Sequence, residues 1–121
     1  MSRLLLISVV LFACSSPVQS GASCPTSGAP TYASFGAAFF AHYCTGCHSR
    51  SASARFGAPA DVNFDTEDDI RASALAVDAE AAAGPDATNT DMPDMGGMVH
   101  VPPSLSEREL LGQFLACERA R

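Results

Sequence analysis

The pentapeptide Cys44-Thr45-Gly46-Cys47-His48 decides how the rest of this chain is read. Two thiols three positions apart, with a histidine directly after the second, form the attachment pattern of a c-type haem. The spacing has a chemical reason. Two short side chains on one turn can each add to a vinyl group along one porphyrin edge, and the next residue then presents its imidazole to the iron. Cys44 and Cys47 are thus read as the covalent anchors of one haem c, and His48 as the proximal iron ligand.

Other chemistries also use a CxxC pair. A structural zinc ion takes four ligands. The remaining candidates, Cys24, Cys117, His42 and His100, are scattered, with no second CxxC and no HxxxH. A thioredoxin-type dithiol sits in a βαβ context with β-rich flanks, and no such flanks are seen here.

The chain has 121 residues, which allows one small domain, and carries 13 acidic against 7 basic residues for a net charge of −6. Every basic residue is an arginine. A nucleic-acid partner is excluded on this balance, because binding phosphates needs a basic surface. Residues 1–20 have the make-up of an export signal: Arg3, then the apolar core Leu4 to Ala13, then small and polar residues. That core is too short for a membrane helix, which needs roughly 20 apolar residues. Export suits the haem reading, since haem c is attached to chains that have already crossed a membrane. Leu11-Phe12-Ala13-Cys14 resembles a bacterial lipobox, in which Cys14 becomes the lipidated first residue, although Phe12 is larger than is usual there. The alternative is ordinary cleavage after Val18-Gln19-Ser20, which would remove Cys14.

Residues 21–31 continue a Ser-, Gly-, Ala- and Pro-rich stretch and read as a flexible arm without a core of its own. If Cys44 and Cys47 hold haem and Cys14 carries lipid, Cys24 and Cys117 are the thiols left over. In an oxidising compartment they are expected to form a disulfide that pins the arm to the last helix, with two free thiols as the alternative. The domain proper spans residues 32–121 and is expected to be all-α.

A first helix is expected over Ala33 to Tyr43, with Gly36, Phe40 and Cys44 on one face and Phe35, Phe39 and Tyr43 beside it. This face runs straight into the CxxCH, so core and haem wall are expected to be one surface. Thr66-Glu67-Asp68-Asp69 is a capping box opening a helix whose buried period is Ile70, Ala74, Val77 and Ala81, and Gly84-Pro85 ends it. For the last helix, Ser106 with Glu109 is expected as capping box and Leu105 with Leu110 as hydrophobic staple. Leu110, Phe114 and Cys117 make its expected inner face, with Leu111 and Leu115 beside it.

Glycine, three residues, an aromatic, three residues and CxxCH, here Gly36, Phe40, Cys44, Cys47 and His48, resembles the N-terminal helix of the class I cytochromes c. The resemblance extends over about Thr31 to Cys117. It implies that the first and last helices cross closely, with Phe114 or Leu110 over Gly36 and Phe40. It also implies a loop proline whose carbonyl accepts the second ring N–H of the ligand histidine, and Pro59 is near that position. In the family a methionine reaches the iron from the far side, often in a Met-Pro pair. Met92-Pro93 matches, leaving Met95, Met98 and His100 as the alternatives. Arg50 and Arg55 are either solvated loop charges or partners of the haem propionates.

The function so implied is an electron carrier, not an enzyme: a monohaem protein passing single electrons between redox proteins outside the cytoplasm. It would be periplasmic, or anchored at the outer membrane through a lipid on Cys14. The acidic surface suits partners with basic patches. Competing expectations are a haem subunit of a larger oxidoreductase, a small haem peroxidase or sensor with a labile distal ligand, and a zinc-binding lipoprotein.

Overall fold

The computed structural model describes residues 17–94 and 101–121. Cys14, Met95, Met98 and His100 therefore lie outside the described residues. Within them the chain is helical and has no β-strand, only an isolated antiparallel bridge between Ala83 and Thr88.

The first helix opens on a capping box. The Thr31 hydroxyl accepts from the Ser34 N–H at 3.0 Å, and the Ser34 hydroxyl accepts from the Thr31 N–H at 2.9 Å. A wide π-helical turn over Tyr32–Gly36 comes first and passes into α1, Ala37–Tyr43. The expected single helix from Thr66 is divided into α2, Glu67–Ala72, and α3, Ala74–Ala81. The division falls at Ser73, whose φ of −106° and ψ of 8° break the helical run. The buried period survives the break, and Ile70, Ala74, Val77 and Ala81 all face inward.

The last helix, α4, is Leu105–Arg119 and starts two residues earlier than expected. Its capping box is Ser104 with Glu107, the Glu107 Oε2 accepting from the Ser104 N–H at 2.8 Å. Both S-x-x-E boxes are present in the sequence, and the earlier one adds helical hydrogen bonds without losing a cap. With the helix so placed, Leu105 and Leu110 are exposed at 56% and 41% and form no staple. The inner face is Leu111, Phe114, Leu115 and Cys117.

The core joins α1, α2, α3 and α4 through Phe39, Phe40, Ile70, Val77, Leu111 and Phe114, with Phe64 added from the loop before α2. Phe40 meets Phe114 edge-on at 6.4 Å and Phe64 at 5.3 Å. Gly36 sits under the Phe114 ring, so a Cβ there would stand 2.7 Å from ring Cζ. Arg71 ties α2 to α4, donating through Nε and Nη2 to Glu118 Oε2 at 3.1 and 2.9 Å.

The N-terminal stretch packs onto the helices at Ser20 and Cys24. Ser20 is fully buried, and its N–H and hydroxyl each donate to the buried Asp78 carboxylate at 2.6 Å. Cys24 is bonded to Cys117, with the Cα atoms 4.7 Å apart, so the expected pairing is present. The stretch lies close against α4. A Cβ on Gly112 would stand 2.7 Å from the Ala83 carbonyl oxygen and 2.8 Å from the Ala22 Cβ.

Candidate functional site

The CxxCH turn is an extension of α1. Cys44 N–H and Thr45 N–H both donate to the Phe40 carbonyl at 2.9 Å, and His48 N–H donates to the Cys44 carbonyl at 2.9 Å. These bonds gather Cys44, Cys47 and His48 at the end of one helix. The next anchor is the Phe64 N–H, which donates to the His48 carbonyl at 2.9 Å and returns the loop to its start.

Beside this turn lies a cavity of about 460 Å³. That is within the roughly 300–1,000 Å³ of small-molecule and cofactor sites. Cys44, Cys47 and His48 line it, together with Met92 from the segment after α3. Its walls are largely apolar, with Phe39, Val62, Phe64 and Val77 among them. Phe40 does not line the cavity; it lies behind the wall, in contact with Phe39 and Phe64. Pro59 does line it.

Cys44 and Cys47 are free thiols, each half-buried. Burial against the apolar wall, and secondarily the neighbouring Cys47, pushes the Cys44 thiol up to about 12. A thiolate is disfavoured there, the reverse of the lowered pKa that activates a dithiol oxidoreductase or a metal-binding cysteine. An uncharged thioether suits the same surroundings.

The His48 ring is oriented by a different carbonyl from the one expected. Its Nδ1 lies 3.2 Å from the carbonyl oxygen of Val62, not of Pro59. The Pro59 carbonyl instead accepts from Arg55 Nη2. The reason lies in Arg55, which folds the loop around its guanidinium. It donates to the carbonyls of Ser49, Ala58, Pro59 and Val62 and to Asn63 Oδ1. The Val62 oxygen thus faces both the His48 imidazole and, at 2.9 Å, Arg55 Nη2. Neither arginine is a plain solvated charge. Arg50 is taken up by Asp69, at 2.7 and 2.8 Å, and by Asp65 at 3.1 Å. Arg55 lines the cavity, and its hydrogen-bonded partners are neutral oxygens. The cavity lining also includes the acidic residues Glu80 and Asp94.

On the other side, Met92 is held through its backbone. Its N–H donates to the Glu80 carbonyl at 2.9 Å, and its own carbonyl accepts from Arg108 Nη1 at 2.9 Å. The structure thus brings Cys44, Cys47, His48, Met92 and Pro59 to one cavity. Cys24 and Cys117 are bonded to each other outside its lining.

Sequence reasoning misses Val62, Arg108 and the loop-organising role of Arg55. Val62 acts through a main-chain oxygen, which leaves no mark on side-chain pattern. Arg108 does leave one: it stands three and seven residues before Leu111 and Leu115, a charge set into an apolar helical stripe.

Compared with models of known families, with curated proteins and with solved structures, the chain matches none of them.

Proposed function

We propose that this chain is a monohaem c-type cytochrome of the class I kind, exported from the cytoplasm and carrying one electron at a time. The observation that carries the reading is the convergence of Cys44, Cys47, His48 and Met92 on one apolar cavity, with both thiols unpaired while Cys24 is bonded to Cys117. The packing of Phe114 on Gly36 and Phe40 supports it too, since the resemblance implies a close approach of the first and last helices at that point.

Bound haem supplies an iron that gains or loses one electron, and the chain sets where it sits and at what potential. Cys44 and Cys47 would hold the porphyrin covalently, each thiol adding sulfur to one carbon of a vinyl group and hydrogen to the other, so that no atom would leave. His48 would donate a hydrogen bond from its Nδ1–H to the Val62 carbonyl oxygen, which leaves Nε2 as the atom that would hold the iron. Arg55 draws on the same oxygen and so moderates electron donation by the imidazole. Its charge also suits a propionate carboxylate. Met92 contributes a neutral thioether, which raises the potential relative to a second histidine. The apolar walls exclude water and disfavour the extra positive charge of the oxidised state. With His48 and Met92 both holding the iron, no position would be left for a substrate, which suits a carrier better than an enzyme.

The partners are redox proteins that present basic patches to this acidic chain, and the site of action is the periplasm or the outer-membrane surface. As a second reading, the 38% exposure of Met92 favours a small haem peroxidase or sensor in which that ligand exchanges. Rapid binding of carbon monoxide by the reduced protein would select it.

The test is to export the full chain from a host equipped for haem attachment and record its pyridine haemochrome spectrum. A haem that resists acid-acetone extraction, with both vinyl groups saturated, is expected. Replacing Cys44 or Cys47 by Ser should remove one thioether each. A colourless folded protein whose Cys44 and Cys47 both react with a thiol reagent would falsify the proposal.

A further inference from the structure

Arg108 is 4% exposed, although it lies in α4 and carries a full charge. Burying a charge is costly unless the group is well hydrogen-bonded. Its Nη1 is within hydrogen-bonding distance of three carbonyl oxygens, those of Ala81 at 2.8 Å, Asn89 at 2.9 Å and Met92 at 2.9 Å. Its own carbonyl accepts from the Ala83 N–H at 2.9 Å.

The three carbonyls belong to the end of α3 and to the segment that leads to Met92. Other bonds fix the same segment. Asn89 N–H donates to the Ala82 carbonyl, and Asn89 Nδ2 donates to the carbonyls of Val18 and Asp78, each at 2.9 Å. Met92 N–H donates to the Glu80 carbonyl at 2.9 Å. Both backbone polar groups of Met92 are thus engaged, one by α3 and one by α4. Nη1 carries two N–H groups for the three oxygens, so at least one N–H is shared between two carbonyls.

We propose that Arg108 is a positioning residue that fixes Met92 at the cavity wall, so that the Met92 thioether is the one presented to the group held by Cys44, Cys47 and His48. The inference rests on the haem reading above and assigns the distal ligand within it. Arg108 does not touch the cofactor; it acts through the Met92 backbone.

The test uses the exported holoprotein, with R108Q, R108K and M92A beside it. Haem content is scored by pyridine haemochrome. Distal ligation is scored by the weak far-red charge-transfer band of a thioether bound to ferric haem, and by the affinity for added imidazole. Global stability is followed separately by urea unfolding. M92A should keep covalent haem and lose the far-red band. R108Q should weaken that band and bind imidazole at least about tenfold more tightly, with R108K intermediate. Adding R108Q to M92A should change imidazole affinity no further.

In the wild type, the Met92 amide should exchange its hydrogen slowly. This measurement stands even if R108Q fails to fold. If holoprotein forms and R108Q binds imidazole as the wild type does, the inference falls while the haem reading stands, whether or not R108Q is less stable. It falls in the same way if M92A keeps the band, or if the wild-type Met92 amide exchanges like an unprotected one. Absence of covalent haem overturns the haem reading, and the inference with it.

Discussion

Gly36 and Phe114 are in contact without room for a methyl group: a Cβ on Gly36 would lie 2.7 Å from Cζ and 3.1 Å from both Cε atoms of the ring. Phe114 is fully buried and is also packed edge-on against Phe35 and Phe40, so its ring has nowhere to retreat. Overpacking of this kind costs about 1–3 kcal/mol. Gly36→Ala is therefore expected to lower stability in urea by that amount with an unchanged m-value. Combining it with Phe114→Leu should recover part of the loss. Additive effects in the double variant would show that the two positions do not share the space.

The Cys24–Cys117 bond closes a loop with a sequence separation of 93 residues. On the chain-entropy model such a closure stabilises by about 4.6 kcal/mol, and typical effects run from about 2 to 4 kcal/mol. The double variant C24S/C117S should unfold at correspondingly lower urea. Its cavity residues are untouched, so its visible spectrum should match that of the parent holoprotein. A changed spectrum at low urea would show that the arm reaches the site.

Acid should weaken the fold through the Arg50 cluster. The hydrogen bond from Arg50 holds the Asp69 carboxyl well below the usual carboxylate range, and the Arg50 N–H, with the Ser49 hydroxyl, holds Asp65 below it. In the unfolded chain both return to about 3.9. The folded state then binds fewer protons, so this contribution is complete above about pH 5 and fades as the pH falls through 4 and below. Urea midpoints measured from pH 7 to pH 2 should fall along that course. Arg50→Gln should lower the plateau and flatten the decline. An equally steep decline in Arg50→Gln would assign the acid sensitivity elsewhere.

The burial of Ser20 bears on processing. Cleavage after Ser20 would strip the buried Asp78 carboxylate of two hydrogen bonds at 2.6 Å and take away the Val18 carbonyl that binds Asn89. Losing one partner of a buried polar group costs about 1–3 kcal/mol. Intact-mass and N-terminal analysis of the exported protein should therefore find Val18 to Ser20 retained, with a lipid-modified Cys14 as the expected first residue. A mature chain beginning at Gly21 would rule out both. Ser20→Ala should destabilise by roughly the cost just given.

What can be read from sequence is what neighbours in sequence decide. The Thr66 capping box forms where expected, because its partners are Thr66 and Asp69, three residues apart. The start of α4 departs from expectation by two residues because Ser104 and Ser106 each have a glutamate three positions on, and local pattern does not rank them. Distance in sequence hides the rest. The partner of Ser20 is Asp78, and Arg108 gathers Ala81, Asn89 and Met92. The carbonyl facing His48 belongs to Val62 because Arg55 claims that of Pro59, a competition between main-chain oxygens that no side-chain pattern encodes.

The docking of Ser20 on Asp78 has a geometric corollary for a protein held by a lipid on Cys14. Val18 and Ser20 are fastened to the body, and Val18 is only four positions from Cys14, a separation that no chain carries beyond roughly 14 Å. The body would then ride close against the bilayer instead of sweeping the space above it. For the electron carrier proposed above, the partners within reach would be proteins standing in, or skimming, the same membrane surface.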